Sequence, residues 1–157
     1  MKTYKVYTLI ILFFAATSFT PAPKPTEDLK WMGWNDGYSM AKKKKKIAMI
    51  DCFTEWCGWC KRMDRDTYSD ANVQEKIYKN FIPIKLNPEL NQTYTLDGKQ
   101  YNGNQLLALL SNNSISGYPT IIFIIPNGKT NLVELSVGYS NAADFAKILD
   151  EKVAKKK

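Results

Sequence analysis

From residue 29 to residue 154, short apolar runs alternate with segments in which apolar residues recur every three or four positions. That is the signature of strands interleaved with amphipathic helices. Ile47 to Phe53 is a compact apolar run with one acid, Asp51, inside it, and predicts a buried central strand. Phe81 to Leu86 predicts a second strand. Its Pro83 has no N–H for a ladder, so it is expected on a free edge or beyond a short neighbour. Thr120 to Ile125 and Leu132 to Val137 predict two more, joined by Pro126-Asn127-Gly128-Lys129, a hairpin signal because Asn-Gly accepts positive φ. Leu29 to Trp34, short and aromatic, is expected to be an edge strand.

The helical segments carry their own start signals. Asn35 or Asp36 is placed to cap a helix running to the Lys42–Lys46 cluster. A second helix is expected from Cys57 to about Tyr68, entered through a tight turn at Gly58. Ser69 or Asp70 caps a third, through about Lys79; Gln105 to Leu110 is a fourth; Ser140 or Asn141 caps a last one through about Ala154. Residues 87–104, NPELNQTYTLDGKQYNGN, are polar, with turn signals at Asp97-Gly98 and Asn102-Gly103, and are expected to form a loop with little core of its own. There is no internal repeat. Strands alternating with helices, then a hairpin and a closing helix, predict an α/β layered fold around a mixed sheet.

The first residues follow a different logic. Met1 to Lys5 is a short cationic stretch, and Val6 to Ala16 is an almost unbroken apolar run, short for a membrane span but suited to a secretory signal. Ala16 and Ser18 offer the small residues of a cleavage site before Phe19. A retained N-terminal anchor is the other reading. Pro21-Ala22-Pro23-Lys24-Pro25 then reads as a stiff, extended linker. The expected organisation is a signal peptide over 1–18, a linker over 19–28, one folded domain over 29–154 and a basic tail over 155–157. Export would place the domain where disulfides persist.

Charge and cysteine usage narrow the chemistry. The net charge of +7 comes from 22 basic and 15 acidic residues, and its excess lies in Lys42–Lys46 and Lys155–Lys157. These runs sit at predicted helix ends, where cations are favoured, so no nucleic-acid partner is expected. With three cysteines and no histidine, Cys-His and Ser-His pairs are excluded, as is any zinc site that needs imidazole. A dithiol can hold copper(I) or half a zinc site, but zinc would need a second chain or water to complete it, and no methionine motif accompanies the pair. No metal is therefore assigned. What remains is a local pair, Cys57 and Cys60, and a spare thiol, Cys52.

The order of these elements and the segment Trp56-Cys57-Gly58-Trp59-Cys60-Lys61 resemble the thioredoxin-like superfamily. Further matches are Asp51 six residues before the first cysteine, Lys85 in the following strand, and Gly117-Tyr118-Pro119-Thr120 ahead of the hairpin. The resemblance covers about Lys30 to Lys152. It is strongest to exported thioredoxin-like proteins and to the periplasmic thioredoxin-like domain of transmembrane disulfide reductases, to which the stretch MDRDTYSDANV is also similar. Two features depart from thioredoxin itself: Gly58-Trp59 replaces Gly-Pro between the cysteines, and the 87–104 excursion has no counterpart. The Gly-Tyr-Pro-Thr segment is closer to protein disulfide isomerase domains, which leaves the direction of electron flow open. The resemblance implies a thioredoxin fold: a central mixed sheet with helices on both faces.

It also implies thiol–disulfide exchange, which needs an accessible thiolate and a nearby leaving thiol. A helix beginning at Cys57 lowers that thiol's pKa, and Cys60, three residues on, lies on the same face and can resolve a mixed disulfide. Two inert core cysteines are the bland alternative. Asp51 would exchange protons with the resolving thiol, and Lys85 matches the lysine that pairs with it in thioredoxins. Trp56 and Trp59 are expected to form an apolar lip for substrates. Pro119 resembles the cis-proline that exposes the backbone of Tyr118 to an extended substrate. Cys52, one residue after Asp51, must point to the opposite sheet face and is expected to be buried and inert. No bound cofactor is required. The implied partners are disulfide-containing client proteins and a membrane-embedded thiol–disulfide electron donor, and a monomer is expected. A disulfide oxidase or isomerase, and a peptide- or metal-binding module without turnover, are the alternatives.

Overall fold

The computed structural model describes residues 28–157; the expected signal, and all of the expected linker but Asp28, lie outside the described residues. Its elements run α1 (Trp34–Lys44), β1 (Ile47–Cys52), α2 (Gly58–Asp66), α3 (Ala71–Asn80), β2 (Phe81–Leu86), β3 (Tyr94–Leu96), β4 (Lys99–Tyr101), α4 (Gly103–Ser111), β5 (Thr120–Asn127), β6 (Thr130–Val137) and α5 (Ala142–Ala154). The main sheet has the order β2-β1-β5-β6. β1 and β2 are parallel, joined by the α2–α3 crossover, while β5 and β6 are antiparallel to their neighbours. This is the mixed sheet of the thioredoxin fold.

Strand alternation divides the core in two. Ala48, Ile50 and Cys52 of β1 pack with Ile82, Ile84 and Leu86 of β2 under Trp34 and Tyr38 of α1 and Leu106, Leu107 and Leu110 of α4. Ile47 and Met49 face the other way, with Phe81, Ile121, Phe123 and Ile125, under Met63 of α2, Val73 and Ile77 of α3, and Phe145 and Leu149 of α5. Helices thus cover both faces. Asp51 follows Ile47 and Met49 onto the α2 side, and Cys52 goes to the α1 side.

Most elements begin where their caps are. Asp70 accepts from the Val73 N–H at 3.0 Å, and Asn141 from the Asp144 N–H at 3.0 Å. Pro83 sits on edge strand β2, and its carbonyl accepts from the Met32 N–H rather than from β1.

Three expectations are corrected. Leu29 to Trp34 is not a strand: only Met32 bridges Ile84, and Trp34 already opens α1. Trp34 fills space in the α1 core instead, stacked on Tyr38. The α1 N-cap is Gly33, not Asn35 or Asp36. Asn35 instead accepts from the Thr95 N–H at 2.8 Å and donates to the Thr93 carbonyl at 3.3 Å.

The third correction concerns residues 87–104, which are built into the scaffold. β3 and β4 pair across Asp97-Gly98, with φ of +48° and +81°. Tyr94 is buried in the α1-side core and its hydroxyl donates to the Asn87 carbonyl at 3.0 Å. Tyr101 is half-buried against the same core. The Trp34 indole donates to the Thr95 carbonyl at 2.9 Å. Asn102 and Gln105 form a reciprocal capping box at the start of α4, each bond 2.9 Å long. At Gly103 a Cβ would lie 2.3 Å from the Pro88 carbonyl oxygen, with no flexible side chain to yield. Gly103→Ala is expected to lower stability by about 1–3 kcal/mol, read as a drop in the urea midpoint. An unchanged midpoint would detach this segment from the folding unit.

Candidate active site

The dithiol lies where β1 hands over to α2. The chain leaves Cys52, turns with the Cys57 N–H on the Thr54 carbonyl at 3.1 Å, and enters the helix at Gly58. Cys57 is therefore the N-cap rather than the first helical residue. Its Sγ accepts from the Cys60 N–H at 3.1 Å, so the group that caps the helix is the sulfur itself. Cys57 and Cys60 are joined as a disulfide with Cα atoms 5.3 Å apart. Once reduced, Cys57 keeps that N–H and the positive end of α2 beside it, both of which favour thiolate over thiol.

Asp51 and Lys85 stand opposite each other in the β1–β2 register. Lys85 Nζ lies 2.5 Å from Asp51 Oδ2 and 2.7 Å from Asp64 Oδ1. Three aromatic rings surround the ammonium, with Trp31, Phe53 and Tyr68 centroids at 4.6, 4.9 and 5.6 Å. Burial pushes the Asp51 carboxyl above its ordinary range, against the opposing pull of Lys85. For Lys85, desolvation acts downwards but the two carboxylates outweigh it, and its pKa is raised. Asp51 Oδ1 and the Tyr68 hydroxyl are buried without a hydrogen bond of ordinary geometry. The buried acid is thus half-satisfied, on the sheet face that α2 covers.

Trp56 and Trp59 flank the cysteines and are 68% and 55% exposed. Trp56 meets Tyr118 edge-on at 6.0 Å, and its indole N–H donates to Glu89 at 3.0 Å. Trp59 lies tilted against Tyr139 at 5.6 Å. The Tyr118–Pro119 peptide bond is cis, immediately before β5. The eight residues singled out in the sequence therefore gather at one end of the sheet, as a dithiol, a buried ion pair and an aromatic rim. Asp64, Glu89, Arg62, Tyr139 and the ring cage of Lys85 were not singled out. Only Asp64 carried a signal, as one of two acids on the dithiol helix.

Cys52 is a free, fully buried thiol on the α1 side of the sheet. Burial, and then Asp51, push its pKa well above the ordinary thiol value. It is expected to resist alkylation in the native protein and to be labelled once the chain is denatured. A Cys52 disulfide with either motif cysteine would contradict this placement.

The matching family description is a thioredoxin-like domain, over residues 34–152. The chain belongs to the thioredoxin-like family. Among curated relatives it is 28% identical, over 106 residues, to the thiol:disulfide interchange protein DsbD of Tatumella citrea; the match takes in 68% of this chain and 16% of that protein. The same protein of Salmonella typhimurium is 29% identical over 114 residues, 73% of this chain and 18% of its own length. The chain thus spans less than a fifth of the curated relatives it matches. Among solved structures, a thioredoxin from Thermus thermophilus superposes with a TM-score of 0.64 at 22% identity, covering 82% of this chain and 90% of that one, a likeness of fold.

Proposed function

We propose that this thioredoxin-like protein is an exported thiol–disulfide oxidoreductase that reduces disulfides in client proteins. The observation that carries the reading is the Cys57–Cys60 disulfide capping the N-terminus of α2. Cys57 thiolate attacks one sulfur of a client disulfide, and the other client sulfur leaves as a thiol. Cys60 then attacks the Cys57 sulfur, releasing the second client thiol and re-forming the protein disulfide, so that two electrons pass to the client. Asp51 takes the Cys60 proton as that thiol becomes the attacker. Lys85 sets the acid's charge balance, and Tyr118 and Pro119 present backbone to the client.

Continued reduction in an oxidising compartment requires a supply of electrons, and we assign it to a membrane-embedded thiol–disulfide donor. The curated relatives' name, thiol:disulfide interchange protein, supports the exchange chemistry itself. No helix among the described residues is long and apolar enough to cross a membrane, so the donor would be a separate chain or a part of this protein outside them. Reduction of insulin by the purified protein tests the activity. The potential of the Cys57–Cys60 couple tests the direction: a value near that of thioredoxin, about −270 mV, fits a reductase, whereas one near about −120 mV would make the protein an oxidase.

A further inference from the structure

The two indoles beside the dithiol are alike in exposure, but the charges next to them differ in sign. On the Trp56 flank, Glu89 Oε1 accepts the indole N–H at 3.0 Å, and Glu55, the preceding residue in the chain, is exposed. Neither acid has an ion-pair partner among the described residues. On the Trp59 flank, the Arg62 guanidinium lies 5.2 Å from the Trp59 ring centroid and 4.9 Å from that of Tyr139. Asp66 does not cancel it. That single carboxylate meets Arg62 at 3.3 Å and Arg65 at 2.7 Å, so two cations share one anion.

The acidic flank is a local exception. The basic residues outnumber the acidic ones along the chain, and the resulting field draws anions to its surface generally. Glu89, bonded to the Trp56 indole, and Glu55, the exposed neighbour of Trp56 in the chain, put negative charge on this flank. A cation placed there meets a carboxylate and an indole together, and a client that covers the flank excludes water and strengthens both contacts.

Resting on the oxidoreductase reading above, we propose that Glu89 and Arg62 are specificity-determining residues. They select and orient extended client segments that carry a base on one side of the cysteine and an acid on the other, with the base at Trp56 and the acid at Trp59. The exchange is the one already written: two electrons leave the Cys57/Cys60 dithiol, one client disulfide bond breaks, and two client thiols leave with two protons.

Two blocked peptides of identical composition and zero net charge test this, Gly-Lys-Cys-Glu-Gly and Gly-Glu-Cys-Lys-Gly, each supplied as its symmetric disulfide to the pre-reduced protein. Because composition and net charge are equal, the overall field drops out, and only the order of charges along the segment differs. The expected result is a rate difference of about fivefold between the two orders at low ionic strength, in keeping with exposed charge pairs. It should collapse towards unity in high salt. Glu89→Lys is expected to shrink or invert the preference. The ratio is read within one sample, so it does not depend on how much of a variant is folded. Equal rates for the two peptides in the unaltered protein, or a preference that persists in Glu89→Lys, overturn the proposal. Reduction of the small neutral hydroxyethyl disulfide by the unaltered protein tests the oxidoreductase reading separately, since its failure removes that reading whatever the peptides do.

Discussion

Replacing Cys57 with serine is expected to abolish insulin reduction, whereas Cys60→Ser should convert the protein into a trap that accumulates mixed disulfides with clients through Cys57. The difference follows from the two sulfurs' positions. Only Cys57 sits at the mouth of α2, where its sulfur receives the Cys60 N–H at 3.1 Å and faces the positive end of the helix. Burial does not separate the two, at 4% and 3% exposure; Cys60 differs in lying inside the first turn of the helix instead of capping it. In Cys60→Ser the first attack proceeds and the second cannot, so the client remains attached. Intact-mass measurement after incubation with an oxidised client reads the outcome directly. Equal trapping by both variants, or trapping through Cys60, would reverse the assignment of attacker and resolver. The effect on turnover in either variant should exceed that of any other single substitution, because removing one sulfur leaves no two-electron couple at all.

The architecture was legible because the core alternates strictly. In β1, β2 and β5 the apolar runs are bounded by turn or cap residues, so strand positions and the face each side chain takes could be read before any contact was known. The same alternation put Asp51 and Cys52 on opposite faces, and the structure places them there. The β3–β4 hairpin was not legible, although its Asp97-Gly98 turn was, because three-residue strands are too short to show a period. Leu29 to Trp34 misled for the opposite reason. Aromatic residues favour strands, but here Trp34 opens α1 and stacks on Tyr38, and Trp31 lies edge-on to Tyr68. At the site, the residues that belong to a local motif were visible. Those that reach it from elsewhere were not. Glu89 bonds Trp56 across 33 positions, and Lys85 meets Asp64 across 21, and neither contact has a pattern in the chain.

Asp51→Asn is expected to slow turnover near neutral pH by about two orders of magnitude, the scale of a lost general acid–base group, while leaving the protein at least as stable. The two effects have one origin, a carboxyl whose pKa is raised chiefly by burial. In the unfolded chain the acid ionises near the ordinary value of about 3.9. Between that pH and its raised value in the fold, the folded state keeps a proton that the unfolded state has released. Stability therefore falls as pH rises through this window, by about 1.4 kcal/mol per unit, and levels off once the folded carboxyl ionises too. Asparagine cannot ionise, so the variant should gain on the parent as pH rises from about 4 and then hold its advantage. Lys85 does not become a stranded charge in the variant, since Asp64 remains 2.7 Å from its ammonium. Urea midpoints of both proteins at pH 4 and pH 8 measure the first effect, and the pH dependence of insulin reduction measures the second. If the midpoints differ by the same amount at both pH values, burial is not what sets the Asp51 proton. If the pH–rate profile is unchanged, Asp51 serves the fold and not the exchange, and the proton leaves Cys60 by another route.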